Sequence, residues 1–152
     1  MILKIRPALP RDADILSHIA FSAKAYWGYP AKWMEIWKPQ LTFSPEYFEL
    51  YESWVTEVDN APAAFYTLQE RNGTAWIENL WVLPEFIGRG FGEELFLHAL
   101  SRSRVMGHLV LRLESDPNAV GFYEKMGMYK VNESNYPVEG QIRILSVMEI
   151  KL

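Results

Sequence analysis

At 152 residues the chain has room for one compact domain, by the usual allowance of roughly 150 residues each. Its composition, 49% hydrophobic and 22% charged, excludes disorder, and six Trp, eight Tyr and eight Phe require a core or a pocket. A net charge of −4 opposes general binding of nucleic acid, and the lack of cysteine removes disulfides, thiolate zinc sites and a thiol nucleophile together.

The opening Met1-Ile2-Leu3-Lys4-Ile5-Arg6-Pro7 has too short an apolar stretch for a secretory leader. No later run approaches the ~20 apolar residues of a membrane span. The expectation is a cytoplasmic protein with no membrane partner.

In chain order, residues 2 to 6 read as a strand, and Asp12 to Ala25 as a helix with Ile15, Leu16, Ile19 and Ala23 on one face. Gly28 and Pro30 interrupt it. From Tyr26 to Tyr51 the sequence is dense in aromatics, and Pro30, Pro39 and Pro45 predict an irregular helical excursion of short pieces. Strands follow at 54 to 58, 62 to 69 and 74 to 82, with Asn72-Gly73 as a hairpin turn because both positions tolerate positive φ.

A helix is predicted from 90 to 106, with Phe91, Leu95, Phe96, Ala99 and Leu100 inward and Gly107 as its left-handed terminator. Leu109 to Leu113 is a near-continuous apolar run, read as a strand buried on both faces and parallel to the strand at 74 to 82. Asp116-Pro117 opens a last helix, as N-cap and N1, which Ala119, Phe122, Tyr123 and Met126 carry to Gly127. Strands near 128 to 133 and 141 to 150 close the chain.

The chemistry is concentrated where a strand runs into Leu83-Pro84-Glu85-Phe86-Ile87-Gly88-Arg89-Gly90-Phe91-Gly92. Glycines at alternate positions let the backbone curl and turn several N–H groups toward one point, where the helix N-terminus adds roughly half a positive charge. That arrangement suits an anion, and Arg89 adds a full charge at its rim. A dinucleotide fingerprint would need a third glycine where Glu93 stands, although Glu114 falls at the expected distance downstream. A Walker loop would need Gly-Lys-Ser/Thr, which is absent. A turn that merely joins strand to helix is the remaining alternative.

Val82-x-Pro84-x-x-x-Gly88-Arg89-Gly90-x-Gly92, followed by Asp116-Pro117-Asn118-Ala119-Val120-Gly121-Phe122-Tyr123-Glu124-Lys125-Met126-Gly127, resembles the GNAT superfamily of acyl-coenzyme A-dependent N-acetyltransferases. The opening Ile5-Arg6-Pro7-Ala8 and its helix fit as well, so the similarity spans nearly the whole chain. The resemblance implies a single GNAT domain over 1 to 152, α/β of the α+β type. Its central, mixed and mostly antiparallel sheet would hold two splayed parallel strands, with helices on its flanks. It further implies that acetyl-CoA is co-substrate, its pantetheine arm entering between the strands 74 to 82 and 109 to 113.

By the same resemblance, backbone groups of Leu80 and Val82 meet the thioester and the arm, and the amides of Ile87, Gly88, Arg89, Gly90, Phe91 and Gly92 hold the pyrophosphate. Asp116, Asn118 and Tyr123 complete the cofactor contacts. The chain departs from the family pattern in having Ile87 for Gln or Arg, Asp116 for Asn and Met128 for Phe.

Acyl transfer to an amine needs an uncharged nucleophile, a donor for the developing oxyanion and a proton source for the leaving thiolate. Tyr123 matches the family's tyrosine near the cofactor sulfur and is the candidate acid; its place on the apolar face also suits a core tyrosine. Glu78 is the candidate base, since strict alternation places it with Trp76, Leu80 and Val82 on an apolar face, where a lone carboxylate is costly without a task or a partner. A salt-bridged strand residue is the competing reading.

Trp27, Tyr29 and Trp33 lie in the region that shapes the acceptor pocket in the family and suit a cationic or planar acceptor, or ordinary packing. His18, His98 and His108 lack ligand spacing, so no metal is expected. The expected activity is therefore transfer of acetyl from acetyl-CoA to a primary amine of a small molecule or peptide, by direct attack in a ternary complex. A non-catalytic acyl-CoA-binding module is the rival, and the reading accommodates a homodimer.

Overall fold

The computed structural model describes residues 2–152. Its strands are β1 (Leu3–Pro7), β2 (Ser53–Val58), β3 (Ala61–Arg71), β4 (Thr74–Val82), β5 (Val110–Ser115), β6 (Tyr129–Val138) and β7 (Gln141–Lys151). They form one sheet in the order β1-β2-β3-β4-β5-β7-β6. β4 and β5 run parallel, while β1 with β2, β2 with β3, β5 with β7 and β7 with β6 are antiparallel. The helices are α1 (Ala13–Ala25), α2 (Ala31–Trp37), α3 (Tyr47–Leu50), α4 (Phe91–Val105) and α5 (Val120–Lys125). Two compact units divide the chain: one reaches Leu68 and adds Asn79–Leu95, the other comprises Gln69–Glu78 and Phe96–Leu152. Among the described residues no helix is long and apolar enough to cross a membrane.

In the first unit α1 buries Leu16, Ile19, Ala20 and Ala23, the i, i+3, i+4, i+7 stripe of an amphipathic helix. Ile15, expected on that face, is 38% exposed because it lies one position off the stripe. Phe43 packs on Phe48 and Phe65 at ring separations of 5.5 and 5.6 Å, so the proline-broken excursion is anchored by its aromatics. Each such fully buried side chain contributes about 1.5–3 kcal/mol. The turn between β2 and β3 places Asp59 and Asn60 at φ 49° and 70°, a two-residue hairpin whose twist suits the strands.

β3 is the strand buried on both faces, with Ala63 through Leu68 all out of solvent. That role was expected of the run 109 to 113. There the outcome differs: Leu109 is 83% exposed, and β5 begins at Val110 and alternates, burying Leu111, Leu113 and Ser115 only. The apolar run masked a period-two pattern that Arg112 and Glu114 reveal once the strand is extended to Ser115.

The second unit packs Phe96, Ala99 and Leu100 of α4 with Leu111, Leu113, Tyr123 and Met148 as its buried apolar set. β6 runs past the expected end at 133 to Val138 and turns at Glu139-Gly140, with φ 45° and 74°. As the terminal strand of the sheet it tolerates Ser134, Asn135 and Pro137. The last helix starts as a tight turn at Pro117–Ala119, capped by Asp116, whose Oδ1 accepts from the Asn118 amide at 2.8 Å.

Candidate active site

The glycine turn offers main chain rather than side chains. Gly88 and Gly90 sit at φ 82° and 85°, the left-handed region that glycine alone occupies cheaply, and a Cβ built on either would meet nothing within 4 Å. Packing therefore does not require these glycines; the sign of φ does. The first amide of the turn to find a main-chain acceptor is that of Glu94, which donates to Gly90 O at 3.1 Å. None of the amides from Gly88 to Glu93 donates to an acceptor among the described residues. A row of unsatisfied N–H groups opening α4, exposed at Gly88, Arg89 and Gly90, is electropositive without a lysine in it. Arg89 is exposed beside it, its guanidinium 5.5 Å from the Phe86 ring centre, and Ile87 is 42% exposed.

The end of β4 carries Leu80 and Val82, both half-buried although β4 is an inner strand of the sheet. In the same unit Asn79 donates to Thr67 Oγ1 at 3.0 Å and to the Tyr47 hydroxyl at 3.3 Å, and accepts from Trp81 Nε1 at 2.9 Å. The Lys24 ammonium lies 4.4 Å from the Trp37 ring centre, 5.4 Å from Tyr29 and 5.9 Å from Trp81. Tyr29 stacks on Trp33 at 6.1 Å and meets Trp37 edge-on at 4.9 Å. Trp27 stands apart from this group; its ring contact is with Tyr26.

In the second unit the parallel register of β4 and β5 comprises Ala75 opposite Leu111 and Trp76 opposite Arg112. Two residues on, and on the same face, stand Glu78 and Glu114. Arg71 of β3 reaches both. Its Nε donates to Glu78 Oε1 at 2.7 Å, its Nη2 also contacts Glu78, and its Nη1 lies 3.7 Å from Glu114 Oε1. The guanidinium sits 4.4 Å from the Trp76 ring centre. Glu78 is thus a carboxylate with a close cationic partner, and the need for a task that a lone carboxylate would impose is met by Arg71 instead.

Tyr123 is 8% exposed, with its ring against Phe122 and Phe96. Its hydroxyl makes no hydrogen bond among the described residues. The one fully buried side-chain polar atom without a partner among them is Thr56 Oγ1, so the unpaired Tyr123 hydroxyl keeps some accessible surface. Burial first, and then the negative charge of Asp116, push its pKa well above the usual phenol value. Asp116 also accepts from Arg143 Nη2 at 2.9 Å, and Asn118 Nδ2 donates to Asp116 at 3.0 Å.

The model of the acetyltransferase (GNAT) family matches residues 18–128, most of the chain. The protein belongs to the GNAT acetyltransferase family. No curated protein sequence matches it. Among solved structures, a GCN5-related N-acetyltransferase from Rhodopseudomonas palustris shares 20% identity at a TM-score of 0.83, covering 100% of this chain and 99% of the other. PaiA N-acetyltransferase from Thermoplasma acidophilum, solved in complex with coenzyme A, shares 22% at 0.82, with both chains covered fully. The ribosomal-protein-S18-alanine N-acetyltransferase from Escherichia coli shares 21% at 0.75, over 99% and 94% of the two chains. At these identities the likeness establishes the GNAT fold.

Sequence reasoning did not find Arg71 and Glu114 beside Glu78, nor Tyr136 donating to Glu114, nor Lys24 and Trp81 among the aromatics. Glu114 was visible only as a coincidence with a dinucleotide pattern. The signal that would have placed it beside Glu78 is the register of the parallel pair, in which positions 76 and 112 lie opposite each other.

Proposed function

We propose that this GNAT protein transfers an acetyl group from acetyl-CoA to a primary amine by direct attack within a ternary complex. The observation that carries the proposal is the row of unpartnered amides from Gly88 to Glu93, held by two positive-φ glycines with open space around them. A diphosphate suits it, since peptide dipoles at a helix start bind anions without a counter-charge of their own. The CoA complex of the Thermoplasma PaiA enzyme and the acetyl-CoA complex of YncA from Salmonella typhimurium, 18% identical, make acetyl-CoA the donor to test first.

In this reading the main chain of Leu80 and Val82 orients the pantetheine arm and the thioester, with Ile87, Gly88, Arg89, Gly90, Phe91 and Gly92 on the diphosphate. Asp116 and Asn118 set the start of the last helix. The neutral amine attacks the thioester carbon and the C–S bond breaks. Tyr123 gives its phenolic proton to the sulfur and regains one from the nitrogen as the amide forms. Its hydroxyl has no hydrogen-bond partner among the described residues and keeps some accessible surface, which leaves its proton available for this role. Tyr29 and Trp33 serve the acceptor by stacking, while Glu78, held by Arg71, is assigned to shaping the site rather than to taking the proton.

The test is release of free CoA by the purified chain with acetyl-CoA and a panel of amines, alongside calorimetric binding of acetyl-CoA and of NAD. Turnover with any amine supports the proposal. Binding without turnover across the panel identifies an acyl-CoA-binding module instead, and preference for NAD overturns both.

A further inference from the structure

We propose that Glu114, positioned by Tyr136, is the residue that selects the acceptor, drawing in an amine that arrives as an aliphatic ammonium ion. The inference rests on the acetyl-transfer reading above, in which the donor's arm enters where β4 and β5 part. Beyond the last paired positions, Trp76 and Arg112, the next residues on that face of the two strands are Glu78 and Glu114, so both carboxylates border the parting.

Their charge is only half compensated. Arg71 grips Glu78 through two nitrogens, yet approaches Glu114 no closer than 3.7 Å. The other arginines of this face are engaged elsewhere, Arg112 with Glu149 at 3.2 Å and Arg143 with Asp116 at 2.9 Å. Two carboxylates and one guanidinium leave a surplus negative charge, and Glu114 is the more loosely paired of the two.

Glu114 is held for use rather than buried for packing. The register of β7 with β5 and of β6 with β7 carries the same face across to Tyr136, whose hydroxyl donates to Glu114 Oε2 at 2.5 Å. That neutral donor fixes the carboxylate without cancelling its charge. Oε1 accepts no hydrogen bond among the described residues, and the side chain is 20% exposed. A half-buried carboxylate oxygen with an open valence and a fixed orientation is a receptor for an N–H of a cation. The face already holds one cation in this manner, since the Arg71 guanidinium lies over Trp76 and against Glu78. An alkylamine, with a pKa near ~10, arrives as ammonium at neutral pH. It gives one proton to solvent before attack, and the carboxylate raises its local concentration at this face.

The experiment compares kcat/KM for two acceptors of similar size, an aliphatic diamine and an arylamine that is uncharged at pH 7.5, in the wild-type protein and in Glu114→Gln, Glu78→Gln and Tyr136→Phe. Glu114→Gln is expected to cut the preference for the cationic acceptor roughly tenfold, through KM more than kcat. Tyr136→Phe is expected to shift it the same way by about threefold, as a positioning residue should, and thermal melts check that each variant folds. An equal or larger effect from Glu78→Gln, or a preference unmoved by Glu114→Gln and Tyr136→Phe, overturns the assignment. Wild-type turnover with an unmoved preference refutes Glu114 alone, whereas a wild-type protein that transfers acetyl to no amine refutes the acetyl-transfer reading and this inference with it.

Discussion

In the proposed reading the glycine turn offers a ligand main-chain amides within one short stretch, Gly88 to Glu93, which have no acceptor among the described residues. At the parting of β4 and β5 the offered groups are side chains from four strands: Arg71, Glu78, Glu114 and Tyr136. The first arrangement depends on the sign of two φ angles, the second on strand register over 66 positions of sequence. Recognition built from backbone is specified locally and carries no ionisable group; recognition built across a sheet is specified by topology and is made of charged side chains.

The most forceful way to break this contrast is at Gly90. Gly90→Val forces a β-branched residue into φ 85° and covers the amides with a side chain, so acetyl-CoA affinity should fall on the order of 100-fold. Gly73→Val is the matched control: its φ is 79°, and a Cβ there also meets nothing within 4 Å. Both variants should lose about 1–2 kcal/mol of stability from the left-handed strain, read by denaturant melts. Only Gly90→Val should lose affinity by calorimetry. Equal losses of affinity in the two would show that the turn acts through the fold and not as a ligand surface.

Next in size is Tyr123→Phe. With the shape kept and the acid removed, kcat should drop about 10–100-fold while acetyl-CoA affinity changes little, which rapid-quench and equilibrium measurements separate. An unaltered kcat would return Tyr123 to the core packing that its contacts with Phe96 and Phe122 also explain.

The same contrast accounts for what could be read in advance. Asn72-Gly73 and Gly107 adopt the positive φ that their local sequence foretold, and in the turn Gly88 and Gly90 adopt it while Gly92 does not, because the cause lies within a few bonds. The helix 91 to 105 and its inward set followed from periodicity alone. Burial of β3 on both faces did not, since Ala63 to Leu68 look no more apolar than Leu109 to Leu113 and only position in the sheet distinguishes them. Glu78 was singled out for the right reason, the cost of a lone carboxylate, but Arg71 lies beyond a hairpin turn and nothing in the spacing announces the pairing. Glu114 and Tyr136 are 22 residues apart and meet only because β7 lies between their strands.

The smallest effect sets the amides of the turn against two phenols, Tyr123 and Tyr136, by titration. Amides do not ionise, so acetyl-CoA affinity should stay flat from pH 7.5 to 9.5. Stability should not stay flat at higher pH. Tyr123 holds its proton more tightly folded than unfolded, where a phenol releases it near pH ~10. Above that pH the unfolded chain is the one with fewer protons, so each rise in pH favours unfolding, by about 1.4 kcal/mol per unit until the folded phenol also ionises. Tyr136, raised by burial and then by its bond to Glu114, adds a weaker contribution of the same sign because it is 43% exposed. Denaturant melts between pH 9 and 11 should therefore show a decline that Tyr123→Phe largely removes and Tyr136→Phe only trims. A decline of the same steepness in Tyr123→Phe would mean that its phenol is not the group that burial protects.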